Sequence, residues 1–325
     1  MKPEIVSATI DGFVTTDIQE RGYFSNWNDD SVVRTRPYRY TCKSTDKDDP
    51  ASGDWFFPSA LTFLSHPLLA GLPQGQVQEI LARNLITFLE YTTLLEHRIV
   101  NKSVQFIAQN CLPVSIPHGM RMDALRVYTD EGYHAIMSAD VANQVSRIYG
   151  IAQENRQFSR IARLEAMAET FQLPTLGWFL IGFVSETAIT TEFTKMGRTS
   201  LVPGVHNMLM DHLSDEWKHS RYFTGMFSYL WPRLTESERD FCATQLPSII
   251  HECFRLDGSL LERDFCEMGI DSNIARIISE ERGKESEHRL RARTGAVATL
   301  HALKSCSFFN DPRYVATFTR YGLID

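Results

Sequence analysis

Two five-residue segments, Asp130-Glu131-Gly132-Tyr133-His134 and Asp215-Glu216-Trp217-Lys218-His219, repeat the pattern DExxH and constrain this chain more than any other feature. Composition alone gives on the order of 0.04 chance matches to that pattern in a chain of this length. Both copies fall in stretches with helical periodicity. A Glu and a His three residues apart stand about one turn apart on one helix face, so both side chains can reach a single metal ion. Each motif also has a glutamate on the preceding long helical stretch, Glu96 before the first and Glu186 before the second. Glu96 sits within Leu94-Leu95-Glu96-His97, and Glu186 follows Phe183-Val184. A carboxylate on an apolar helix face needs a compensating partner, and a metal supplies one. Glu90 is rotated about 120° off the face of Glu96. Glu192 is similarly off the face of Glu186, among Thr190, Thr191 and Thr194.

Helix with Glu, then helix with ExxH, twice over, is the ligand scheme of ferritin-like di-iron and di-manganese carboxylate bundles. Four carboxylates and two neutral imidazoles offset two divalent charges and tolerate cycling between ferrous and ferric states. The expected metal ligands are Glu96, Glu131, His134, Glu186, Glu216 and His219. His212 lies four residues before Glu216 and seven before His219, shares their helix face, and joins the set. Asp130 and Asp215 are expected behind the ligands, each accepting a hydrogen bond from the free ring N–H of the His in the other motif. His97 and His206 do not share these faces and are read as structural.

The periodicity predicts an all-α chain: a ferritin-like four-helix bundle core with peripheral helices and an irregular N-terminal leader. The long helices are expected at about 76–110, 120–149, 174–196 and 204–230. Pro113 and Pro117 break the first from the second, Pro174 opens the third, and Pro203 with Gly204 introduces the fourth. A shorter helix is expected over 155–170. Thr235 and Glu238 have capping-box spacing for a further one, helical pattern continues over 257–268 and 273–305, and a short piece follows Pro312. Residues 1–60 read as a mostly extended leader packed on the body, with a short strand near Val32 to Tyr40, and 61–325 as the metal-binding domain.

With 43% hydrophobic and 22% charged residues, the 325-residue chain is an ordinary globular one. Its net charge of −7, with no clustered Lys and Arg, argues against nucleic acid as a partner. The longest apolar run, Trp178 to Val184, is too short for a membrane span, and Met1 to Thr9 holds no apolar signal core. Six scattered cysteines without a CxxC pair suit free thiols in a reducing, cytoplasmic setting.

On the paired E…DExxH pattern and the extra His212, the chain resembles the family of p-aminobenzoate N-oxygenases, from Asp54-Trp55 through Phe308-Phe309-Asn310-Asp311-Pro312. The resemblance carries the family's ligands onto Glu96, Glu131, His134, Glu186, Glu216 and His219, with the additional His on His212. It implies two iron ions, O2 as cosubstrate and a peroxo-diferric oxidant that converts an amine to a hydroxylamine, and onward to nitroso or nitro, in natural-product biosynthesis. The implied substrate is an arylamine or amino acid, free or tethered to a carrier protein, and the implied assembly is a homodimer. No GxGxxG is present, so an external reductase or ferredoxin is implied as electron donor. Arg289, Arg291 and Arg293 are candidates for steering an acidic carrier or binding a substrate carboxylate, against a solvated helix surface. Tyr91, Tyr128 and Phe183 are candidate pocket aromatics, against core packing.

Four other readings compete, of which a scaffold without metal would leave both DExxH motifs unexplained. A ferritin-type ferroxidase shares the bundle, but such chains are usually shorter and lack a third His. A radical-generating subunit would place a Tyr one turn beyond the first-site His, where this chain has Ser138, and Tyr133 is on the wrong face. A di-iron C-hydroxylase uses the same ligand types.

Overall fold

The computed structural model describes residues 22–37, 39–47, 49–152, 156–195 and 200–325, the side chains at 50 and 190–195 excepted. Met1 to Thr9, the Glu192 side chain and the expected helix end near Gly197 lie outside that range. Long helices dominate because apolar residues recur at three- and four-residue spacing. Helix α1 (Gln74–Leu94) runs through a π-helical turn (Leu95–Val100) into α2 (Asn101–Ala108). After the Pro113–Pro117 break comes α3 (His118–Tyr149), which ends on Gly150 in the left-handed conformation, φ 67°. A shorter α4 (Ser159–Thr170) leads to α5 (Pro174–Lys195) and α6 (Pro203–Leu230), both opened by proline.

Helix α3 packs on α1 and α2, α6 on α5, α2 on α5 and α3 on α6, which closes a four-membered bundle. Leu176, Phe179, Leu180, Ile181, Phe183 and Val184 are all buried, so α5 is apolar around its circumference and central. Gly182 lets it approach α2, since a Cβ there would collide with Ser103. Helix α7 (Glu236–Cys253) begins at the capping box of Thr235 and Glu238, as their spacing predicts. It packs on α5 with α4, while α8 (Gly258–Glu267) and α9 (Ser272–Gly283) form a pair beside the bundle. Helices α10 (Glu285–Gly295), α11 (Val297–Ser305) and α12 (Pro312–Arg320) complete the outer layer. No helix among the described residues is long and apolar enough to cross a membrane.

Three expectations are corrected. The helix read over 76–110 is interrupted at Leu95–Val100 by the π-helical turn, which absorbs an extra residue in the middle of an otherwise regular pattern. The stretch 273–305 is three helices, with breaks at Lys284 and Ala296, each directly after a glycine. Among the described residues of 32–40 there is no strand: Trp27–Asp30 and Val32–Thr35 are single helical turns. Among the described residues no neighbouring strand is available to satisfy that backbone, and its N–H groups bond locally or to side chains of the body. The one backbone bridge among the described residues pairs Asp54 with Leu201.

The apolar core consists of two clusters. Leu95, Val127, Val184 and Tyr222 belong to one, and Leu89, Met137, Ile189 and Leu209 to the other. Along each bundle helix the switch falls at the segment that carries the expected ligands, so a polar layer crosses the bundle between two dry ends.

Candidate metal centre

That layer is assembled from one face of each long helix. The π turn supplies Glu96, α3 supplies Asp130, Glu131 and His134, α5 supplies Glu186, and α6 supplies His212, Asp215, Glu216 and His219. All nine side chains are buried, none more than 2% exposed. Their ligating atoms form two overlapping groups in which all members lie within 4.8 Å of one another: Glu96, His134, His212 and Glu216, and Glu131, His134, Glu216 and His219.

The rings are oriented by their neighbours. His134 turns Nδ1 inward, 3.2 Å from Glu131 Oε2 and 3.3 Å from Glu216 Oε1. His219 turns Nδ1 to Glu131 Oε1 at 2.7 Å, with Glu186 Oε2 at 3.7 Å. The outward Nε2 atoms face the two aspartates crosswise, His134 to Asp215 and His219 to Asp130, each at 3.3 Å. Each aspartate thus stands behind the histidine of the other motif. His212 places Nε2 2.8 Å from Glu96 Oε1 and 3.0 Å from Glu216 Oε1, which puts it beside the first upstream glutamate as well as its own helix's Glu216.

So many buried charges shift one another. Burial pushes Glu96 up to about 7, with His212 opposing, and lifts Glu186 well above the carboxylate range, helped by Glu216 and Glu131. Against burial and the neighbouring His134, the carboxylates of Glu96 and Glu216 raise His212 to about 9. His134 and His219 are likewise held well above the ordinary imidazole value against burial, His134 chiefly by hydrogen bonds to Asp215 and Glu131, His219 chiefly by the charge of Glu131. Glu216 is held well below the usual range despite burial, by hydrogen bonds from His134 and His212.

The residues present fit a pair of metal ions. Oε2 of Glu96, Glu186 and Glu216 is buried without a hydrogen bond. A buried carboxylate oxygen left that way is costly unless a cation meets it. Four carboxylates neutralise two divalent ions, and the all-nitrogen-and-oxygen donor set suits iron or manganese.

The other sequence candidates lie elsewhere. Glu90 pairs with Arg156 at 3.2 Å, and His97 and His206 are exposed. Tyr128 is 42% exposed, so it is no pocket residue, and Phe183 stacks with Phe179 and Phe227 in the core. Tyr133 donates to Pro37 O at 2.9 Å, away from the cluster. Arg289 and Arg293 pair with Glu285 and Asp325 on the surface. Tyr91 and Arg291, by contrast, line a cavity of about 200 Å³ beside the cluster.

Sequence reading missed the leader's part in the site. Trp27 Nε1 and Ser31 Oγ donate to Asp130, and the Val32 N–H donates to Asp215. These residues lie about a hundred or more positions from their partners, in a stretch without periodicity.

A helical bundle crossed by a buried carboxylate–histidine layer is the architecture of the non-haem di-iron and di-manganese carboxylate proteins. The family model described as P-aminobenzoate N-oxygenase AurF matches residues 43–305, and the chain belongs to that family of di-iron oxygenases. No curated protein matches the chain.

Proposed function

We propose that this chain is an N-oxygenase, with Glu96, Glu131, His134, Glu186, His212, Glu216 and His219 as ligands to two irons and Asp130 and Asp215 orienting His219 and His134. The observation that carries the reading is the paired group of buried ligands with carboxylate oxygens that make no hydrogen bond. The irons supply O2 activation when bound. One oxygen atom enters an N–H bond of the amine to give a hydroxylamine. The other leaves as water with two electrons and two protons, so an external reductase or ferredoxin belongs to the proposal.

The amine's place is the cavity of about 200 Å³. Leu95 and Ser185, the residues just before Glu96 and Glu186, line it, so it ends against the backbone that carries both glutamates. Tyr91, Phe88 and Phe254 give it aromatic walls, and Arg160 stacks on Tyr91 with its guanidinium 3.8 Å from the ring centre. Arg291 offers a buried Nε that makes no hydrogen bond, while its Nη1 donates to Arg282 O at 2.9 Å. Such a cation suits a carboxylate on an arylamine or amino acid, or an acidic carrier. A dry pocket keeps the amine neutral with its lone pair available and excludes bulk water from the oxidant. Cytoplasmic location and a homodimer complete the proposal.

The test is a single turnover of iron-loaded protein with 18O2 and a set of carboxylated arylamines and amino acids, read by mass spectrometry. A hydroxylamine or nitro product carrying 18O supports the reading. Label on carbon alone would make it a C-hydroxylase, and iron oxidation without any labelled product a ferroxidase.

A further inference from the structure

Residues 24–32 of the N-terminal leader touch the metal centre from outside, through Phe24, Trp27, Ser31 and Val32. Phe24 is buried with its ring 5.9 Å from that of His219. Trp27 Nε1 reaches both oxygens of Asp130 at 2.8 and 2.9 Å, and Ser31 Oγ donates to Oδ1 at 2.6 Å. Val32 donates its backbone N–H to Asp215 Oδ2 at 3.1 Å. The residues between them, Ser25, Asn26, Asn28, Asp29 and Asp30, are exposed. Asp130 is only 1% exposed. Among the described residues no Lys or Arg pairs with it, and the partners that meet its charge there are Trp27, Ser31 and His219. The segment is also anchored. Tyr23 bonds the buried Asp123 through its backbone N–H, and its hydroxyl rests over Gly225, where a Cβ would collide with it.

We propose that residues 24–32 are a clamp on the metal centre, with Trp27 and Ser31 as positioning residues that fix Asp130 and, through it, the ring of His219. The clamp rests on the di-iron reading above. It lies outside residues 43–305, the range the family model matches. The physical argument is orientation. A carboxylate held by an indole N–H and a hydroxyl has one rotamer, so the oxygen that faces His219 Nε2 has one position. With Nε2 so held, the ring keeps Nδ1 aimed at the cluster. Groups that orient a metal-ligating histidine in this way typically change metal affinity ~10- to 100-fold when lost. Removing Trp27 and Ser31 therefore loosens the metal at His219 and leaves the one nearer His212 alone.

The test uses the full chain loaded with Fe(II) without oxygen, then challenged with an excess of a ferrous chelator while release is followed by absorbance. The variants are Trp27→Phe with Ser31→Ala, Ser31→Thr as the conservative replacement, and Asp130→Asn as the direct lesion. The expected result is two irons per chain in the wild type. In the double variant one of the two leaves ~10- to 100-fold faster, with the other unchanged and the thermal midpoint of the metal-free protein within a few degrees of wild type. Ser31→Thr should release as wild type does, and Asp130→Asn should reproduce the fast phase. If the double variant does not fold, Gly225→Ala, which crowds Tyr23 and lifts the anchor without touching Asp130, should show the same selective phase. Release of both irons at the wild-type rate overturns the clamp. So does an equal acceleration of both together with a lowered midpoint, which marks ordinary packing. Fewer than two irons in the wild type itself would remove the metal reading, and that outcome is seen before any variant is made.

Discussion

At the scale of single residues, the site's chemistry lies in the relation between the carboxylates and the imidazoles. In the metal-free chain, His212 is raised to about 9, and His134 and His219 are held well above the ordinary value of 6.5. Stability from these protonated rings is fully present below pH 6.5 and is lost as pH rises through the raised values. Burial pushes Glu96 from 4.5 to about 7, so ionising it costs stability across that interval. Both signs agree. The thermal midpoint of the metal-free protein should fall between about pH 6 and 9, whereas the iron-loaded protein, whose ligands are already deprotonated by the metal, should not follow it. Calorimetry on both forms checks this, and parallel curves would contradict it. Asp215→Asn should weaken binding ~10- to 100-fold while leaving helicity intact, read by Fe(II) titration.

The clustering of the candidate ligands was legible because an i, i+3 pair on a helix has only one way to face. The preference for Glu96 over Glu90 followed from the same rotation, and Glu90 is found with Arg156 instead. The neighbour of His212 was not legible. Its helix face was correct, but the register of α6 against the π turn, which sets it 2.8 Å from Glu96, depends on packing between helices far apart in sequence.

At the scale of elements, the π turn at Leu95–Val100 is where sequence and structure part most instructively. Apolar spacing carried the helical reading straight through it, since one extra residue barely disturbs a pattern of threes and fours. Such single-turn insertions recur at functional sites, and this one carries Glu96. Deleting the exposed His97 should convert the turn to regular α-helix and re-aim the Glu96 side chain away from the cluster. The variant should stay helical by circular dichroism and lose at least one of its irons. Retention of both would show the turn to be incidental. Close approach of α5 to α2 depends on Gly182 in the same way. Gly182→Ala forces a methyl into Ser103 and should cost about 1–3 kcal/mol in denaturant unfolding.

At the scale of the whole molecule, the bundle is two apolar ends joined by a buried ionic layer, a design that is costly unless the layer is neutralised. The all-α architecture and the four long helices were readable from periodicity. The leader was not, because its fold is dictated by the body: single turns that bring Trp27, Ser31 and Val32 to two aspartates carry no local signature. The cavity borders the layer next to Glu96 and Glu186, and the leader meets it at Asp130 and Asp215. The direct test is the number of irons bound per chain after anaerobic loading with Fe(II) and removal of excess, measured by elemental analysis against protein concentration. Two are expected, fewer in Glu96→Ala and in Glu186→Ala. One or none in the wild type would contradict the di-iron reading.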